Sequence, residues 1–160
     1  MRQIFFILLL LACNYTNSQT SNDFYDIIDE VNVERIKSDI TVLADFGTRH
    51  TLSDTISNSR GIGAARRWIK SEFDKISKDC KGCLEVFYQK NYFTQKDGAR
   101  IIKPTWINNV VAIQRGKKFP NRYIIMSGDI DSRISDPTNY KDDSPGANDN
   151  ASGMAGTIEA

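Results

Sequence analysis

The sequence has 160 residues, 40% hydrophobic, 26% charged and 10% aromatic. That is a globular make-up, and it excludes a collagen-like repeat, a low-complexity scaffold or a disordered acidic tail. Lys and Arg number 21 against 20 Asp and Glu, so no global field draws a polyanion, nucleic acid is not an expected partner, and the length holds one domain at most.

Residues 1–18 run Met-Arg-Gln, an apolar stretch from Ile4 to Cys13, then a polar tail to Ser18, the pattern of a secretory signal peptide. The apolar stretch is far shorter than the ~20 residues a membrane-spanning helix needs, so no transmembrane anchor is expected. Leu10-Leu11-Ala12-Cys13 also resembles the lipobox at which bacterial lipoproteins are cut and acylated. A lipid anchor at Cys13 therefore stands beside simple cleavage near Ser18. Either way the protein is expected to be exported: periplasmic, extracellular or lipid-anchored to the cell envelope. Residues 19–31 are expected as a flexible mature N-terminus, and 32–160 as the folded part.

Val33, Ile36, Ile40 and Leu43 recur at helical spacing and predict a helix over about 32–45. Residues 48–59, polar and without a stripe, predict a loop. Within it His50, the only histidine, is the obvious ligand candidate but is read as structural. A second helix is expected from Arg60 to Lys78, with Ile62, Ala65, Ile69, Phe73 and Ile76 on one face. In an oxidising compartment the following Cys80-Lys81-Gly82-Cys83 reads as a small disulfide, Cys80 to Cys83, that fixes a turn. It follows a helix and precedes a strand, the reverse of a redox-active arrangement.

Leu84, Val86 and Tyr88 then alternate with Glu85, Phe87 and Gln89, predicting a strand to about Phe93. Lys96-Asp97-Gly98 is a turn. Ile107 to Ile113 is a β-branched run of the kind covered on both faces, and Tyr123 to Met126 predicts a third strand. From Ala151 a new helix begins, with Glu159 expected on its surface. Two helices, three strands and a new helix describe an unfinished α/β sandwich, the N-terminal part of a larger domain.

Charge is distributed unevenly. Residues 60–122 carry 15 basic and five acidic groups, whereas 129–150 carry six aspartates against Arg133 and Lys141. This acidic loop leaves the C-terminal end of the third expected strand, where α/β folds place ligands, and oxygen-rich loops suit a divalent cation. On composition alone, a solvated acidic loop is the simpler reading.

The spacing points further. Tyr123 to Arg133 (Tyr-Ile-Ile-Met-Ser-Gly-Asp-Ile-Asp-Ser-Arg) and Ser144 to Gly153 (Ser-Pro-Gly-Ala-Asn-Asp-Asn-Ala-Ser-Gly) resemble the bimetallic zinc aminopeptidases of metallopeptidase family twenty-eight. Phe46 to His50 and Arg60 to Ala65 look like that family's N-terminal helices. The resemblance implies a three-layer α/β/α sandwich of the zinc-peptidase type with a mixed sheet, here truncated after the third strand and the start of the next helix. It also implies two zinc ions in the full-length protein, peptide substrates, and a cis peptide at Asp149–Asn150. By position, Asp149 is the carboxylate that bridges the two ions. Asp131 is the residue that orients the first ligand, and Asp129 stands where the family has a histidine ligand.

A carboxylate can ligate zinc. An ionised Asp129, however, has no proton to donate to Asp131, as an imidazole would. The family's glutamate pair, further aspartate and last histidine would all lie C-terminal to the new helix, so no catalytic base is expected in this chain, and it is not expected to hydrolyse peptides alone. The resemblance implies an exported metallo-aminopeptidase. The alternatives are a glutaminyl cyclase with one zinc, or a metal-free binding ectodomain that keeps the fold.

Overall fold

The structure, a computed structural model, describes residues 22–160. The expected signal peptide over 1–18, with Cys13, lies outside the described residues. The described residues fall in two units, one ending at Val31 and the other spanning Asn32–Ala160. In the first unit, α1 (Asn22–Asp29) is an amphipathic helix whose Tyr25, Ile27 and Ile28 are exposed.

The second unit is built on three helices. α2 (Val33–Asp45) starts where the Asn32 side chain accepts a hydrogen bond from the Arg35 amide, satisfying a donor that the first helical turn leaves unpaired. Its stripe turns inward progressively: Val33 is exposed, Ile40 partly buried and Leu43 fully buried. α3 (Gly61–Asp79) buries Ile62, Ala64, Ala65 and Ile69, and α4 (Ser152–Glu159) buries Met154, Ala155 and Ile158. Leu43, Phe46, Ala65, Ile69, Met154 and Ile158 form one core, in which each large side chain contributes about 1.5–3 kcal/mol by leaving water.

Cys80 caps α3. Lys81 and Gly82, both at positive φ, reverse the chain, and Cys80 and Cys83 are joined by a disulfide across a Cα separation of 5.5 Å. β1 (Leu84–Phe93) and β2 (Thr105–Gln114) pair antiparallel, Leu84 opposite Gln114 and Phe93 opposite Thr105. Leu84, Val86 and Tyr88 are half-buried while Glu85, Phe87 and Gln89 are exposed. The Tyr88 hydroxyl donates to the Arg66 carbonyl at 3.3 Å, which seats the inner face on α3.

Two expectations are corrected. No residue of β2 is fully buried; among the described elements, the helix that packs on the ribbon is α3. Tyr123 to Met126 forms no strand, and Ile124 is 96% exposed. A strand exists only through its ladder, and no described segment pairs with this one. The described sheet therefore has two strands rather than three, and the three-layer mixed sandwich is not formed by these residues. What they form is an α/β arrangement of helices and one ribbon. No described helix is long and apolar enough to cross a membrane.

Candidate metal centre

The three aspartates singled out by the sequence sit on two segments, Gly128 to Ser132 and Pro145 to Gly153, whose backbones run against each other. A Cβ on Gly128 would fall 2.8 Å from the Gly153 carbonyl carbon. Gly146 has φ +51°, and a Cβ there would fall 2.6 Å from both Ser132 Cβ and the Asp149 carbonyl oxygen. Only glycine permits both approaches. The Ser132 hydroxyl donates to the Ser144 carbonyl at 2.5 Å, closing the contact with a buried hydrogen bond.

Residues Ala147–Ala151 form a wide helical turn that breaks at Asp149 (φ −120°, ψ 94°) and Asn150 (φ −137°, ψ 44°). The Asp149–Asn150 peptide is cis, as the resemblance implies. Asn150 Oδ1 then accepts from the Gly153 amide at 2.9 Å, and Ser152 Oγ donates to the Asn148 carbonyl at 2.9 Å. These bonds start α4 directly behind Asp149.

Asp129 and Asp149 are exposed, and among the described residues neither carboxylate takes part in an ion pair or a side-chain hydrogen bond. Asp131 is exposed too; its Oδ2 lies 3.5 Å from Thr51 Oγ1, and it lines a cavity of about 190 Å³ together with Arg100 and Arg133. Uncommitted carboxylate oxygens suit a hard or borderline divalent cation. Among the described residues, however, no three His, Cys, Asp or Glu side chains come together as a metal site. The donor chemistry fits zinc; the donor number is that of an incomplete ligand set.

His50 is buried. Its Nε2 lies 3.0 Å from the Pro137 carbonyl, and Nδ1 accepts from the Leu52 amide at 3.0 Å, which commits both ring nitrogens to the fold. Its neighbour Arg49 is 1% exposed. The Arg49 Nε donates to the Ile130 carbonyl at 2.9 Å, Nη1 to those of Leu43 and Pro145 at 2.7 and 2.5 Å, and Nη2 to that of Gly146 at 3.0 Å. The Arg49 amide donates to Ser132 Oγ at 3.0 Å. Burial lowers the guanidinium pKa and the Asp131 carboxylate opposes that shift. Beside it, Thr48 and Ser144 form a parallel bridge, and the Ser144 amide donates to the Gly47 carbonyl at 2.8 Å.

Sequence reasoning passed over Arg49, because three of its four carbonyl partners lie 81 to 97 positions away and nothing in the polar stretch around it announces them. Glu159 needs correction as well. Expected on the helix surface, its side chain is 9% exposed, accepts from the Asn32 amide at 2.6 Å and faces Arg35 at 3.4 Å.

Residues 109–160 match the model of Peptidase family M28, a span that holds both aspartate-bearing segments. Over 133 residues, 83% of its length, the chain is 47% identical to a protein of Pyrenophora teres f. teres named as a probable zinc metalloprotease. It is 44% identical over 133 residues to one of Leptosphaeria maculans and 43% over 137 residues to one of Pyricularia oryzae, both with the same description. The chain spans 27%, 30% and 27% of these three relatives, respectively. No solved structure matches it. The chain belongs to peptidase family M28.

Proposed function

We propose that the complete protein is an exported zinc-dependent aminopeptidase and that this chain supplies part of its metal centre. The observation that carries the reading is the paired approach of Gly128 to Ser132 and Pro145 to Gly153, which presents Asp129 and Asp149 as exposed, uncommitted carboxylates at the start of α4. Asp149 would bridge two ions, one through each oxygen, and Asp129 would hold one of them. When bound, zinc supplies Lewis-acid polarisation of a carbonyl and a water that ionises near neutral pH. Asp131 would orient Asp129, and the glycine contacts would bring the helix start close to the ions. Because the chain spans 27% to 30% of the relatives quoted, the base and the remaining ligands are assigned to the rest of the protein. The signal-peptide pattern and the Cys80–Cys83 disulfide support export, since disulfides persist in oxidising compartments.

The test uses the full-length protein. It should bind about two zinc ions per chain and release N-terminal residues from peptides, and Asp149→Ala should abolish both. Asp129→His should keep or raise zinc affinity, because an imidazole can donate its second N–H to Asp131. Wild-type protein that stays metal-free after dialysis against micromolar zinc, while Asp129→His binds it, would replace this reading with that of a binding ectodomain.

A further inference from the structure

Arg49 is bonded in a way that a core-filling residue does not require. A buried guanidinium is expensive, and an apolar side chain of similar volume often serves stability better. Here the cation is kept, and its four side-chain hydrogen bonds all go to main-chain carbonyls. One is Leu43, in the last turn of α2; the others are Ile130, Pro145 and Gly146. Ile130 lies between Asp129 and Asp131, and Pro145 and Gly146 shortly precede Asp149. The main chain of the same residue reaches Ser132, whose hydroxyl continues to Ser144.

From these contacts we infer that Arg49 is a positioning residue that sets the separation of the two aspartate-bearing segments. The inference rests on the zinc reading above for its consequence, though not for its geometry. Guanidinium is suited to the task because its donors lie in one rigid plane and can reach several carbonyls at once. Lysine offers a single nitrogen on a flexible stem and cannot span all of them. Carbonyl partners also fix the backbones while leaving the Asp129 and Asp149 carboxylates uncommitted. Metal ligands tolerate misplacement of only about 0.2 Å, so a brace fixing both backbones from beneath acts directly on affinity.

The experiment compares full-length wild type, Arg49→Lys and Ile69→Ala, the last destabilising the core at a fully buried residue of α3 that belongs to neither segment. Two quantities are measured: zinc affinity by chelator competition, and amide hydrogen exchange of 128–132 and 145–151 in the metal-free protein. Arg49→Lys should weaken zinc binding about 10- to 100-fold and speed exchange in both segments together. Ile69→Ala should lose stability with zinc affinity of the folded protein unchanged. Unaltered exchange of the two segments in Arg49→Lys, or an equal loss of affinity in Ile69→Ala, overturns the assignment. A wild type that binds no zinc defeats the metal reading alone, since exchange in the metal-free protein still decides the brace. Should Arg49→Lys fail to fold, Ser132→Ala removes one clasp between the same segments without touching the guanidinium. With the guanidinium intact, exchange in both segments should stay within a few-fold of wild type, and a full loss of protection there would assign the separation to the Ser132 clasp and overturn the role of Arg49.

Discussion

Two ionic centres are buried in this unit, and they are satisfied in opposite ways. Arg49 spends its donors on carbonyls and needs no counter-ion. The Asp39–Glu159 centre joins α2 to α4 through Arg35, whose Nε lies 3.9 Å from Asp39 Oδ2 and whose Nη1 lies 3.4 Å from Glu159 Oε2. Both of those carboxylate oxygens are buried without a hydrogen bond. Burial pushes the Asp39 carboxyl above its ordinary range; Arg35 pulls it back, Glu72 and Glu159 raise it further, and Lys75 opposes them. The cation is therefore a fixture insensitive to physiological pH, placed under the aspartate-bearing segments. The carboxylates clasp α2 to the far end of α4, and of the two it is Asp39 whose carboxyl burial raises.

The sharpest way to break this contrast is Arg49→Met. It leaves four carbonyls without their donor, and with each buried unsatisfied group costing about 1–3 kcal/mol, the loss should be on the order of 4 kcal/mol. Urea denaturation measures it; a loss below about 1 kcal/mol would mean that water or relaxation replaces the guanidinium.

The next effect is smaller and depends on pH. A carboxyl whose folded-state pKa is raised holds its proton more tightly in the folded chain, so its contribution is complete at low pH and is lost as pH rises through the raised value. The contribution of Asp39 to wild-type stability should accordingly decline as pH climbs above the ordinary carboxylate range. Asp39→Asn, uncharged throughout, should flatten that decline and be the more stable protein at pH 7. Urea midpoints between pH 4 and 8 decide the matter, and parallel slopes in the two proteins would remove Asp39 from the account.

What was legible in the sequence follows the range of the interactions concerned. α2, α3, β1 and β2 were readable because their periodicity is local: Ile62, Ala65 and Ile69 announce a face within two turns, and Leu84, Val86 and Tyr88 within five residues. The cis bond was implied by the family resemblance, and the approach of the two aspartate-bearing segments by a strand end and a helix start that a metal cradle would share. Tyr123 to Met126 reads as a strand for the same local reasons, yet a strand is completed by a partner that composition cannot supply. Glu159 was misplaced because its burial depends on Asn32 and Arg35, more than 120 positions earlier. Arg49 was invisible for the related reason that carbonyl acceptors have no residue identity to read.

The smallest effect tests whether burial, rather than residue type, is what sets Arg49 apart. Arg60 performs a task like that of Arg49 on the same acidic loop: its Nη2 contacts Asp143 Oδ1 at 2.6 Å and donates to the Lys141 carbonyl at 3.0 Å. Its side chain is 45% exposed and that of Asp143 is 68% exposed, so water competes for every bond the pair makes. Asp143→Asn should cost only about 0.2–1 kcal/mol. The difference between the two proteins should vanish in 1 M salt, where the screening length shrinks to about 3 Å. Arg49→Met should keep its full cost in the same salt, because its partners are neutral carbonyls shielded from ions. Equal salt sensitivity in the two variants would show that solvent reaches the Arg49 cluster, and would move the brace from the interior of the unit to its surface.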